Sequence, residues 1–286
     1  MGISVRSAAP VTINGAEALP ETVTQSNGDF LNQPSVTYQS ATTDRITTAT
    51  GNYMSGVLGK NGKVYLISWN GDLPILEYSP ATHTTVAKIA PNSGIDLAYR
   101  GSFGKAIHGA GNTIVLTPAG CKRVVVYDYV LNQIAGIYGS TDITETFDSG
   151  TQAGSVLYFS PRNTYRMLTF NTTNNTVGYT SAIPGVATGA TNVFKGCIAD
   201  IKHNIIWMIS YGYNGLLKYT PSNDTWTVVE TSASSHAEYA QTTKWSGAAF
   251  GKDGNLYFTP MNCTKILKLN RNASSSITGR RIPIKF

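Results

Sequence analysis

Lys105, His108 and Asp200 are the residues of this 286-residue chain whose types could together bind a polar ligand. A cation, an imidazole and a carboxylate around one opening would hold a sugar or an anion. The three are linked by count. His108 and Asp200 each precede a recurring apolar anchor, Val115 and Trp207, by seven residues, and Lys105 and Asp148 lie three residues before the corresponding positions His108 and Thr151. The plainer alternative is the polar lining of a water-filled channel.

Other chemistries lack their residues. A glycosidase needs two carboxylates converging on one sugar, yet Glu77, Asp128, Asp224 and Glu230 fall in or near outer turns. The four histidines share no HxH or HExxH spacing suited to a metal. Neither a GxSxG elbow nor a phosphate loop is present. Cys121, Cys197 and Cys263 are odd in number and form no CxxC pair, so free, buried thiols are expected. On these grounds the chain is expected to be non-enzymatic, with no catalytic residue, no cofactor and no metal.

The elements that would position Lys105, His108 and Asp200 come from an internal repeat. Five segments pair two apolar runs: GKVYLIS with PILEYSP, NTIVLTP with RVVVYDY, SVLYFSP with RMLTFNT, NIIWMIS with GLLKYTP, and NLYFTP with KILKLNR. The first anchors, Tyr65, Val115, Tyr158, Trp207 and Tyr257, are spaced by 50, 43, 49 and 50 residues. The second anchors, Tyr78, Tyr127, Phe170, Tyr219 and Leu269, follow by 13 residues once and 12 four times. Each unit adds a weaker third run, and a small-residue run such as YMSGVLG, GKAIHGAG or WSGAAFG precedes the first anchor. Periodicity is 2 throughout, so each unit makes four short strands. Four strands repeated every 40 to 50 residues predict an all-β propeller of five blades, or six if one unit has degraded. The small residues suit a first strand crowded around the central axis.

Within these units YTPSNDTW, Tyr219 to Trp226, has a Tyr, a Pro two later and a Trp seven later, and YSPATHTT keeps Tyr78, Pro80 and Thr82. The pattern resembles kelch repeats. It lacks the Gly-Gly pair and the Trp-Asp dipeptide, so the resemblance implies propeller architecture.

The ends follow a different plan. Residues 1–28 fit no repeat and are expected to form an extended arm, with 29–286 the propeller. FLNQPSVTYQS parallels YVLNQIAGIYG, so Val36 to Tyr38 are expected to add an outer strand to the last blade, and RRIPIKF a further strand held to an edge by Pro283. The N-terminal stretch has no apolar core of a secretory signal and no run reaches 18 apolar residues, so neither secretion nor membrane insertion is expected.

Charge is low at 13% and the formal net charge is +6. From Lys244 onward eight Lys or Arg face the single acid Asp253, so Lys265, Lys268, Arg280 and Arg281 are candidates for contact with an acidic partner. Nucleic acid is not favoured, because no aromatic-interleaved basic stripe accompanies them. Low charge, the arm and richness in Tyr, Thr and Asn resemble propeller-bearing tail hub, nozzle or fibre proteins of tailed phages. That resemblance implies a structural or adaptor subunit of a virion, assembling with other virion proteins and copies of itself. The alternatives are a lectin-like propeller binding host glycan and a hydrolase at the channel mouth.

Overall fold

The structure, a computed structural model, describes residues 11–13, 16–18, 53–139, 143, 145–231, 243–262, 265–270 and 282–283. It falls into two compact units, residues 1–40 and 41–286. In the first, β1 (Val11–Ile13) pairs antiparallel with β2 (Ala16–Ala18). The rest of the predicted arm lies outside the described residues, as do Val36 and Tyr38.

The second unit is a five-bladed propeller of four-stranded antiparallel sheets, so the count is five and not six. Blade one is β3 (Tyr53–Leu58), β4 (Val64–Ser68), β5 (Leu76–Ser79) and β6 (Thr84–Ala87). Blade two is β7 (Phe103–His108), β8 (Thr113–Pro118), β9 (Val124–Asp128) and β10 (Gln133–Tyr138). Blade three is β11 (Phe147–Ala153), β12 (Val156–Pro161), β13 (Leu168–Asn171) and β14 (Thr176–Tyr179). Blade four is β15 (Phe194–Asp200), β16 (Ile205–Ser210), β17 (Gly215–Thr220) and β18 (Thr225–Thr231). Blade five is β19 (Trp245–Phe250), β20 (Leu256–Pro260), β21 (Lys265–Leu269) and β22 (Ile282–Pro283). The C-terminal segment thus supplies the outer strand of blade five, and Pro283 sits at a sheet edge, where a missing N–H is tolerated. No helix among the described residues is long and apolar enough to cross a membrane.

The second strands carry the core, because they are covered on both faces by neighbouring blades. Ile114, Val115 and Leu116, and likewise Leu157 and Phe159, are fully buried. Each such side chain contributes about 1.5–3 kcal/mol relative to exposure. The aromatic anchors pack from blade to blade. Tyr65 of blade one lies 4.9 Å from Tyr129 and 6.3 Å from Tyr127 of blade two, and Tyr158 of blade three lies 5.8 Å from Tyr219 of blade four.

A third regularity sits at the turn between third and fourth strands. His83, Asn132, Asn175 and Asp224, each five residues after a second anchor, all adopt positive φ of 50 to 58°. Asn, Asp and His enter this left-handed region more easily than other side-chain-bearing residues, and their polar ends find local partners there. The Tyr127 hydroxyl donates to Asn132 Oδ1 at 3.1 Å, and the same oxygen accepts from Ile89 N of blade one at 3.2 Å. Tyr219 donates to Asp224 Oδ1 at 2.8 Å, while Ser181 N of blade three donates to both Asp224 carboxylate oxygens. One residue therefore closes its own hairpin and ties its blade to the one before.

Burial pushes the Asp224 carboxyl up, but the Ser181 amide and the Tyr219 hydroxyl outweigh it and hold the group below the usual aspartate range. A lowered folded-state pKa means this contribution is complete above the unfolded value of about 3.9 and is lost as pH falls through the folded one. Asp224→Ala is expected to lower stability at pH 7 by about 1–2 kcal/mol in urea unfolding. Asp224→Asn, which can still accept both bonds, should flatten the fall in Tm below pH 4; an unchanged acid profile would contradict this account of the turn.

Candidate functional site

The first strands of successive blades touch one another around the axis, and their unpaired backbone edges are met by side chains of the neighbouring blade. Ser55 Oγ of blade one accepts from Ala106 N of blade two at 2.9 Å. Thr151 Oγ1 of blade three accepts from Ala199 N of blade four at 3.1 Å. Close approach demands small residues there. A Cβ on Gly196 would fall 2.6 Å from Ser149 Oγ, and one on Gly104 would overlap the Asp148 carbonyl oxygen.

Every first strand begins with an aromatic residue and then bulges. Tyr53 pairs with Ser68 and Ser55 with Ile67, which leaves Met54 without an opposite number. The same slip leaves out Asp148 between Phe147 and Ser149, Lys195 between Phe194 and Gly196, and Ser246 between Trp245 and Gly247. In blade two it spans Gly104 and Lys105, between Phe103 and Ala106. A bulge re-aims the extra side chain out of the ladder. Five bulges at one level gather Met54, Gly104, Lys105, Asp148, Lys195 and Ser246, with Trp69 beside them, around a cavity of about 130 Å³ at one end of the channel.

Charge in this mouth is unbalanced. Asp148 lies 3.2 Å from Lys195 Nζ and 3.9 Å from Arg162 Nη1. Lys195 also sits over the Tyr211 ring at 4.7 Å, and Arg162 over Trp69 at 5.6 Å. Lys105 is exposed and forms no ion pair with the described residues. Three cations thus face one carboxylate, and an anion entering the mouth meets net positive charge at short range.

The structure brings Lys105 and Asp148 together here and leaves His108 and Asp200 elsewhere. His108 ends β7, three residues from Lys105, about 10 Å along the strand, and pairs with Ile114. Asp200 pairs with Ile205, two residues before the anchor Trp207, whereas His108 pairs one residue before its anchor Val115. The two are therefore out of step by one residue and face opposite sides of their strands. The Asp200 side chain is buried, accepting from His203 N at 3.3 Å and meeting His203 Nδ1 at 2.9 Å, so it caps the short 3-10 turn Ile201–His203. The cause is hairpin register. Five residues lie between the paired residues His108 and Ile114 and four between Asp200 and Ile205, so counting back from an anchor does not hold one level.

Among the other candidates, Lys268 Nζ lies 2.9 Å from Asp253 Oδ2, which ties up its charge within the blade. Lys265 is on β21, and Arg280 and Arg281 lie outside the described residues. Cys121 and Cys197 are free and buried as expected. Burial pushes their thiols up to about 11 and about 12, which removes them as nucleophiles at neutral pH. No group of potential metal ligands occurs among the described residues.

The bulge residues escape a search for known motifs, but a signal for them exists. Tyr53, Phe103, Phe147, Phe194 and Trp245 recur at spacings of 50, 44, 47 and 51 and mark the residue before each bulge.

No protein-family model matches the chain, and no curated protein resembles it in sequence. Solved structures do resemble it in fold. Virginiamycin B lyase from Staphylococcus aureus is 15% identical with a TM-score of 0.63, over 83% of this chain and 72% of that one. A catalytically inactive histidine-to-alanine variant of that lyase with quinupristin is similar at 16% identity and a TM-score of 0.62, over 82% and 71%. The WD40 repeats of RRP9 are similar at 7% identity and 0.57, over 78% and 62%. At these identities the likeness shows the propeller fold, and it carries the kelch resemblance no further than architecture.

Two expectations are corrected by these findings. The chain was expected to be a virion subunit and not an enzyme, yet structures sharing its fold include lyases, which are enzymes, and nothing in the likenesses points to a phage role. Low charge and an unrepeated N-terminal segment do not separate a scaffold from an enzyme, and the absence of familiar motifs says little where one bulged residue per blade builds the site.

Gly104→Ala is expected to cost about 1–3 kcal/mol and to push the Asp148 backbone away from Lys195. Denaturant unfolding gives the first and a crystal structure of the variant the second; wild-type stability with an unmoved Asp148 would contradict the packing described.

Proposed function

We propose that the chain is a small-molecule propeller enzyme that takes an anionic substrate at the bulge-lined mouth of its channel. The carrying observation is convergence: one residue or pair from each blade, displaced by the same bulge, meets in one cavity lined by two lysines and one carboxylate, with Arg162 as a third cation beside that carboxylate. Ordinary ligand pockets run to about 300–1,000 Å³, so a cavity of about 130 Å³ suits a small acid or the charged end of a larger molecule.

The groups present can move protons. An anion seated on Lys105 and Lys195 competes with Asp148 for its partner, leaving the carboxylate oriented as an acceptor and a lysine as a donor, the acid and base that general acid–base catalysis requires. Elimination, the reaction class named for the two lyase structures of similar fold, asks for no more than such a pair. Among the described residues no histidine lines this mouth, so the histidine dependence of the Staphylococcus aureus lyase is not carried over.

Small carboxylates or phosphate are expected to raise Tm in a dose-dependent way, with stabilisation approaching about 2.7 kcal/mol at a hundredfold excess over Kd. Lys105→Glu should weaken binding at least about tenfold, since it turns an unpaired cation at the opening into a like charge. Asp148→Asn should keep binding and lose turnover. Stabilisation by carboxylates no greater than by chloride at equal ionic strength would overturn the reading.

A further inference from the structure

The mouth is two-sided. Blade one contributes its apolar residues, Met54 and Trp69, while blades two, three and four contribute Lys105, Asp148 and Lys195. Met54 is 59% exposed, and as a flexible thioether it can close onto a ring of varied shape. Trp69 is half-buried, and its indole is held by the Arg162 guanidinium 5.6 Å from its centroid. Arg162 in turn reaches toward Asp148. The aromatic surface and the charged cluster are therefore fixed relative to each other by one side chain.

Resting on the reading of the mouth as an anion site, we infer that its ligand is an aryl carboxylate. The flat ring lies against Trp69 and Met54, and the carboxylate lies on Lys105 and Lys195. A bare oxyanion would satisfy the lysines and leave the apolar side wet; a neutral aromatic would do the reverse. A cavity of roughly 150 Å³ accommodates a benzene-sized ring; this one measures about 130 Å³, so it takes part of such a ring, with exposed Met54 and Lys105 left to contact the rest of the molecule at the opening. Gly104, where a Cβ would strike the Asp148 carbonyl oxygen, lets blades two and three approach closely and so brings Lys105 and Asp148 to one mouth.

Isothermal titration of the full chain with benzoate, cyclohexanecarboxylate, acetate, phosphate and benzamide, with tryptophan fluorescence in parallel, tests this. Benzoate is expected to bind at least about fivefold tighter than acetate or cyclohexanecarboxylate, as an aromatic contact beyond simple area burial would give, and benzamide to bind more weakly than benzoate. Trp69→Leu should collapse the benzoate-to-acetate ratio toward one, Trp69→Phe should retain most of it, and Lys105→Glu should weaken both acids together. Circular dichroism melts establish that each variant is folded. Equal binding of benzoate, acetate and phosphate, with no effect of Trp69→Leu on their ratio, overturns the aryl-carboxylate inference and leaves the anion site standing. Failure of every anion to bind removes both.

Discussion

Five strands sharing one axis is the constraint on which the rest depends. Each first strand has an unpaired edge that faces its neighbours and not a fifth partner in its own sheet, so its amides need acceptors from elsewhere. Ser55 and Thr151 supply them across blade boundaries. That bonding works only at short range, and short range is possible only where Gly104 and Gly196 hold no side chain. The axis thereby dictates composition: small and hydroxylated along the strand, aromatic at its start where the blades open out and Phe103, Phe147 and Phe194 are wholly buried.

The bulges are the point at which this crowding becomes function. A strand that hugs the axis cannot aim a long side chain into it without breaking ladder register, and one extra residue per blade does so at a single level. Because the bulged residue is freed from pairing and packing, its identity can vary while the fold holds; here it is Met54, Lys105, Asp148, Lys195 and Ser246 in turn. The repeat that makes the blades alike is also what lets their five contributions differ, giving an apolar side and a cationic side to one small cavity. Away from the axis the order reverses. There the anchors and the left-handed turn residues recur because they hold blades together, as Asp224 does between blades three and four.

Much of the architecture is legible in the sequence, and the reasons are physical. Tyr65, Val115, Tyr158 and Trp207 on second strands and Tyr127, Phe170, Tyr219 and Leu269 on third strands are buried, and burial tolerates few replacements, so the spacing survives from blade to blade; Tyr78 and Tyr257 keep it while half-buried. The small residues before each first anchor likewise announce the axis. The site was half legible. Lys105 and Asp148 were placed at one level and do share the cavity, whereas Asp200 was drawn into the same set as His108 by counting through hairpins whose pairing register differs by one residue. Lys195, Trp69 and Arg162 were missed: the bulge that carries Lys195 is marked only by the aromatic residue before it, and Trp69 and Arg162 lie beyond the ends of second strands, a place that leaves no period. The expectation of a virion scaffold failed for a different reason: it rested on composition and on the ends of the chain, which carry no information about what a channel mouth can bind.

A crystal structure of the protein soaked with 4-bromobenzoate would show where an aryl carboxylate binds, because anomalous scattering locates the bromine without ambiguity. A bromine peak is expected in the bulge-lined mouth, with the ring against Trp69 and the carboxylate between Lys105 and Lys195. Full occupancy of bromobenzoate at the opposite end of the channel beside His108, or on the blade surfaces with the mouth empty, would contradict it.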